Sequence, residues 1–215
     1  MSRLQSYQSP PRVKVCGITS VEDALFAVHA GADSIGLVFY SPSPRNVSID
    51  VAREVSLAVG PFVTVVGLFV NEDKFTIEHV IRSVGLHVLQ FHGDESSDFC
   101  DVFHRPYMKA VRMKADVDLE RVISMYPNAS GILLDAYSKG VPGGTGETFD
   151  WDRVPTQQGL PPIVLAGGLT PENITAAVSK TLPYGVDVSG GVEVSPGKKD
   201  PKKIVDFIKN AKIIT

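Results

Sequence analysis

The chain has 215 residues, of which 43% are hydrophobic and 21% charged, with a formal net charge of −3. That length can bury one large core, and the charge balance carries no basic tract of the kind that grips nucleic acid or an anionic membrane. No apolar stretch is long enough to span a bilayer, and residues 1–12 lack the uninterrupted hydrophobic run of a secretion signal, so neither kind of partner is expected. The two cysteines, Cys16 and Cys100, form neither a disulfide framework nor a paired metal motif, which fits a reducing, cytoplasmic setting.

Apolar strand-like runs alternate with helix-like segments along the whole chain. After a polar arm over residues 1–12, a first strand is predicted over Val13 to Cys16 and a helix over Val21 to Ala30, capped by Ser20 or Thr19 and stopped by Gly31. A second strand, Ser34 to Phe39, precedes a helix over Asp50 to Val59, and a third, Val63 to Phe69, precedes one over Asp73 to Val84. Then follow strand Val88 to Phe91 with helix Glu95 to Phe103, strand Met108 to Val111 with helix Leu119 to Tyr126, and strand Gly131 to Leu134 with a long glycine-rich loop and a short helix near Trp151. Strand Ile163 to Ala166 leads to a helix over Pro171 to Ser179 capped by Thr170. Strand Val186 to Val188 leads to a closing helix over Pro201 to Ala211, and Lys198, Lys199, Lys202 and Lys203 read as the solvated start of that helix.

Eight βα units without a linker predict an α/β fold, a single (β/α)8 TIM barrel over residues 13–215 behind a flexible arm at 1–12. A doubly wound open sheet is the alternative, and eight repeats of this period favour closure. Three glycine-bearing segments, around Gly144, at Gly167-Gly168 and at Ser189-Gly190-Gly191, read as a phosphate grip made of backbone N–H groups. In such a barrel the loops after strands seven and eight hold the phosphate.

The working face of this architecture is the C-terminal end of the strands. Polar residues just past the apolar runs are Cys16, Arg45, Asn71, His92, Arg112, Asp135, Asp187 and Ser189. Cys16 reads either as a small buried hydrophobe or as a base or nucleophile, the latter requiring a lowered thiol pKa. Asp135, directly after Ile132-Leu133-Leu134, reads as a loop cap or as a functional carboxylate whose desolvation has a purpose. Asp187 points either into the barrel, where it needs a partner or a substrate hydroxyl, or toward a helix. His92 on its own reads as a satisfied structural histidine. Arg45, in the proline-stiffened Ser41-Pro42-Ser43-Pro44-Arg45, is either an exposed arginine or a bidentate clamp for a substrate carboxylate. No zinc spacing, dinucleotide fingerprint or nucleophile elbow is present, so no metal or cofactor is expected, and the list suits proton transfer on a phosphorylated small molecule.

Lys14-Val15-Cys16-Gly17-Ile18-Thr19 resembles the opening signature of phosphoribosylanthranilate isomerase, an enzyme of tryptophan biosynthesis. Gly67 to Asn71, Leu89 to Glu95, Gly143 to Gly146 with Phe149-Asp150-Trp151, Leu165 to Asn173 and Val186 to Glu193 match further family motifs in family order. The resemblance covers about Val13 to Lys212 and implies a TIM barrel performing an Amadori rearrangement without a cofactor. It implies Cys16 as general base and Asp135 as general acid, with Arg45, His92 and Asp187 binding the substrate. It also implies Gly144, Gly167, Gly168, Ser189 and Gly190 at the phosphate. Gly190 stands where many relatives have a second serine, so backbone donors replace one hydroxyl there. Other sugar-phosphate barrels, which use two carboxylates or a metal, are the nearest alternative, and Cys16 paired with Asp135 discriminates against them. A binding module without turnover is a further alternative, disfavoured by the full set of acid, base and clamp. Both a monomer and a homodimer are compatible with the sequence.

Overall fold

The structure, a computed structural model, describes residues 9–136, 149–155 and 160–213. Eight parallel strands close into a barrel in sequence order: β1 (Arg12–Cys16), β2 (Ser34–Phe39), β3 (Thr64–Phe69), β4 (Val88–Phe91), β5 (Tyr107–Met113), β6 (Gly131–Ala136), β7 (Ile163–Leu165) and β8 (Gly185–Val188). Closure is made by β1 against β8, where Arg12 to Val15 lie opposite Gly185 to Val188. The open-sheet alternative is thereby excluded. Seven α-helices cover the outside: α1 (Val21–His29), α2 (Ile49–Ala58), α3 (Lys74–Val84), α4 (Ser97–Asp101), α5 (Leu119–Ser124), α6 (Ile174–Thr181) and α7 (Pro201–Ala211). The strands are buried on both faces, which is why they read as near-continuous apolar runs.

The main core lies between strands and helices. Val13, Val15, Ile35, Leu37, Phe69, Ile132 and Val186 pack outward against helical residues such as Ala24, Ile77, Ile204 and Phe207. The alternate strand positions face the barrel axis, where Ala110, Leu133, Val164 and Ala166 make one cluster and Cys16, Val38 and Leu68 another. Because the strand period is two, Lys14 shares the inward face with Cys16.

Caps set the helix starts. Ser20, Ser48, Ser96 and Asp118 each accept one backbone N–H of the first turn, while Asp73 accepts two, from Phe75 and Thr76, at 2.9 and 3.0 Å, and Asp200 accepts two, from Lys202 and Lys203, at 2.9 and 3.2 Å. Asp73→Ala is expected to lower stability, read as a fall in the urea midpoint at unchanged slope. An unchanged midpoint would remove the cap from the account.

Several predicted boundaries move for identifiable reasons. Glu95 stays out of the fourth helix, because its carboxylate accepts from the backbone N–H groups of Asn71 and Gly93, and α4 is the five residues Ser97–Asp101. The helix expected from Pro171 begins at Ile174, since Asn173 uses its side chain to accept from the Thr170 N–H and donate to the Gly168 carbonyl. Lys198 and Lys199 are not helical: they form β10 (Lys198–Lys199), antiparallel to β9 (Glu193–Ser195), and Asp200 caps α7 behind them. Arg12, expected in the arm, belongs to β1, while arm residues 1–8 lie outside the described residues. Among the described residues no helix is long and apolar enough to cross a membrane.

Candidate active site

One cavity opens at the C-terminal end of the barrel. Its lining includes Cys16, Arg45, His92, Asp135, Asp187, Ser189 and the Gly167-Gly168 and Gly190-Gly191 pairs, so most of the residues singled out in the sequence meet in one place. Gly144 falls outside the described residues. Asn71 and Arg112 stand behind the lining: the Asn71 side chain accepts from the Asp94 N–H, and Arg112 Nη2 donates to the His92 carbonyl at 2.9 Å.

The first cluster lies where β1 meets β8. Lys14 and Asp187 are register partners, and Lys14 Nζ donates to Asp187 Oδ1 at 2.9 Å with both side chains over 90% buried. Asp187 therefore points into the barrel, and the Lys14 charge also acts on the Cys16 thiol. Room for both head groups comes from β2, because a Cβ on Gly36 would stand 2.6 Å from Cys16 Sγ and 2.9 Å from Lys14 Nζ. Burial drives the Cys16 thiol pKa up, and the Asp187 charge adds to the rise, against the opposing pull of Lys14 and Lys199. The lowered thiol pKa expected from the sequence is therefore not what these surroundings produce, since desolvation outweighs the nearby cations. The Lys14 ammonium moves the other way: burial opposes its charge, yet Asp187 and Cys16 hold its pKa above the ordinary range.

The second cluster spans the cavity floor from β4 to β6. His92 Nε2 lies 3.0 Å from Asp135 Oδ2, and its Nδ1 lies 3.1 Å from the Gln90 amide nitrogen. With that amide donating to Nδ1, the proton of the neutral imidazole sits on Nε2 and faces Asp135. The Gln90 Oε1 atom is buried without a hydrogen-bond partner. His92 is thus held on both ring nitrogens, and its second contact is the proposed acid.

A third cluster braces the rim. Arg45 makes a bidentate pair with Glu193, Nε to Oε1 and Nη2 to Oε2 both at 2.8 Å, and Lys199 Nζ reaches Glu193 Oε1 at the same distance. Lys199 also donates to the Ser189 carbonyl, and its side chain is 0% exposed. Arg45 is accordingly neither a free surface arginine nor an unengaged clamp. Two of its nitrogens are committed to Glu193 while the residue still lines the cavity. Burial raises the Glu193 carboxyl pKa, but Arg45 and Lys199 together bring it below the ordinary range.

The glycine segments after β7 and β8 touch. A Cβ on Gly191 would collide with the Leu169 carbonyl, so the two loops approach as only glycine permits. Beside them Ser189 Oγ is buried and has no hydrogen-bond partner among the described residues. Lys14, Gln90, Glu193 and Lys199 were not singled out as site residues from the sequence. Lys14 was legible, since it lies two residues before Cys16 in a strand and so shares its face.

Known proteins are similar to this chain in sequence and in fold. The family model of N-(5′-phosphoribosyl)anthranilate (PRA) isomerase matches residues 13–210. The chain belongs to that family. It is an isomerase of tryptophan biosynthesis, as the motifs implied. The N-(5′-phosphoribosyl)anthranilate isomerase of Cellvibrio japonicus is 58% identical over 196 residues, 91% of each chain. The crystal structure of the Thermotoga maritima phosphoribosyl anthranilate isomerase superposes with a TM-score of 0.87 at 45% identity, covering 94% of this chain and 98% of that one. A second phosphoribosyl anthranilate isomerase structure, in complex with reduced 1-(o-carboxyphenylamino)-1-deoxyribulose 5-phosphate, matches with a TM-score of 0.83 at 43% identity, again over 94% and 98%. The TIM-barrel expectation is borne out by the closed strand order and by these neighbours.

Proposed function

We propose that the chain catalyses the Amadori rearrangement of N-(5-phosphoribosyl)anthranilate to 1-(2-carboxyphenylamino)-1-deoxyribulose 5-phosphate, with Cys16 as general base and Asp135 as general acid. The observation that carries the assignment of roles is the lining of one cavity by a buried thiol on β1 and a buried carboxylate on β6, with paired glycine loops at its rim. A related enzyme bound to a reduced form of that ketose phosphate supports the substrate class.

The chemistry balances as two proton donations and two proton removals. Asp135 gives a proton to the ribose ring oxygen as the C1–O bond breaks, and the nitrogen lone pair forms a protonated imine. That cation makes the adjacent C2–H acidic. Cys16 as thiolate removes the C2 proton, and the electron pair flows to nitrogen to give the enolamine. Ketonisation adds a proton at C1 and removes one from the C2 hydroxyl. Phosphate is held at Gly167, Gly168, Ser189 and Gly190, where backbone donors and the unpartnered Ser189 hydroxyl converge on the rim. Arg45 and His92 contact the anthranilate end and the acid respectively, and Asp187 faces the substrate from the base side. Residues 13–215 act as the catalytic domain.

The test is the fluorescence of freshly prepared phosphoribosylanthranilate mixed with purified protein in excess chelator. Rapid loss is expected. Unchanged fluorescence with folded protein would overturn the proposal and direct attention to other sugar phosphates.

A further inference from the structure

The surroundings of Cys16 pose a chemical difficulty. A thiol is a poor base until it loses its proton, and here burial and the Asp187 carboxylate both keep that proton on. The charges explain why. Lys14 and Asp187 are a buried ion pair at 2.9 Å, balanced between themselves, so a Cys16 thiolate would add a second anion to a pocket with one adjacent cation. The other charged groups acting on the thiol are Lys199 behind the loop after β8 and Arg45 at the rim, and both are committed to Glu193 at 2.8 Å. From β2 the contact is Gly36, which brings no charge. Lys14 is therefore the cation placed to decide the matter.

We infer that Lys14 is the positioning residue that makes Cys16 a base: Asp187 holds its ammonium at 2.9 Å, and Lys14 becomes the counter-ion of the Cys16 thiolate once the substrate's protonated nitrogen or hydroxyls occupy Asp187. The inference rests on the reading of Cys16 as the base. In the exchange Cys16 gives its proton to solvent, Asp187 trades one donor for another, and Lys14 keeps its three protons. Its N–H donors suit the task, because the ammonium can turn one of them to a thiolate without giving up a proton. Gly36 supplies the space in which both head groups fit. Base formation is thereby coupled to substrate entry: the carboxylate that suppresses the thiolate lines the cavity, and a cationic intermediate relieves it.

The experiment titrates Cys16 by thiolate ultraviolet absorbance, taking the difference from the matching Cys16→Ser protein so that Cys100 cancels. Asp187→Asn removes the suppressing charge and leaves Lys14 beside the thiol. The midpoint is expected to fall by about one pH unit or more, a tenfold rise in thiolate at a given lower pH. Adding Lys14→Met to Asp187→Asn is expected to raise it again by a similar shift. The double variant leaves neither partner of the pair charged, so it tolerates burial better than Lys14→Met alone. Opposite movements in the two proteins support the inference, because a merely structural role for Lys14 would not reverse the direction. A midpoint that ignores the added Lys14→Met, or that does not fall in Asp187→Asn, overturns it. Such a result is separate from the role of Cys16, since normal turnover by Cys16→Ala would sink the base reading without touching the titration.

Discussion

Cys16→Ala and Asp135→Asn are each expected to lower kcat by about 10²–10⁴-fold, the usual worth of a positioned proton-transfer group. Both side chains are buried at the cavity, and both replacements are close in volume, so the fold should survive and substrate should still bind through its phosphate. The loss is therefore expected in kcat more than in KM, as for groups that act in the transition state alone. The two are not expected to add. Without ring opening there is no protonated imine to acidify C2–H, and without the base the imine has no exit, so the double variant should sit near the slower single one. Steady-state rates on phosphoribosylanthranilate check this, with a denaturation curve for each variant. Near-normal kcat in either folded variant would strike that residue from the mechanism.

The barrel was legible because its strands are buried on both faces and its helices carry local start signals. Val13 to Cys16, Ser34 to Phe39 and Val88 to Phe91 are short apolar runs bounded by turn residues, and the structure places strands there within a residue. The last helix matched at both ends, since an aspartate cap followed by Pro201 at the first helical position fixes where it begins. What failed was local competition and distant pairing. Thr170-Pro171-Glu172-Asn173 looks like a capped helix start, but the Asn173 amide spends itself on Thr170 and Gly168 and delays the helix to Ile174. The β9–β10 hairpin is too short to show a period, and its lysines look like those of any exposed helix end. Lys199 is instead wholly buried, because Glu193 is there to receive it.

The site divides in the same way. Position relative to strand ends picked out Cys16, His92, Asp135 and Asp187, because topology alone brings strand ends to one face. Partners were not legible. Nothing in the sequence says that Arg45 meets a carboxylate 148 positions away, or that the Asp187 charge is spent on Lys14 173 positions before it. Those pairings also reverse the simple expectation about the thiol. A site rich in lysine and arginine does not lower a cysteine pKa when each cation already belongs to a carboxylate and the thiol itself is dry.

The rim cluster carries the largest expected effect on stability. Glu193→Ala is expected to cost about 3–5 kcal/mol, the range for breaking a buried pair from one side. Glu193 is the shared partner: its loss strands the Arg45 guanidinium and the Lys199 ammonium together, with Lys199 fully buried and its pKa already lowered by that burial. Arg45→Ala should cost much less, because Glu193 keeps Lys199 and Arg45 lies nearer solvent. It is instead expected to raise KM more than it lowers kcat, as a group holding the substrate carboxylate would. Equal stability losses in the two variants would show that Glu193 is not the hub. Acid provides an independent check. The folded Glu193 pKa lies below its unfolded value, so its contribution is present at neutral pH and is lost as pH falls through the folded pKa. The stability gap between the parent protein and Glu193→Ala should therefore narrow on acidification, and a gap that stays constant down to acid unfolding would place the energy in packing rather than in the charge.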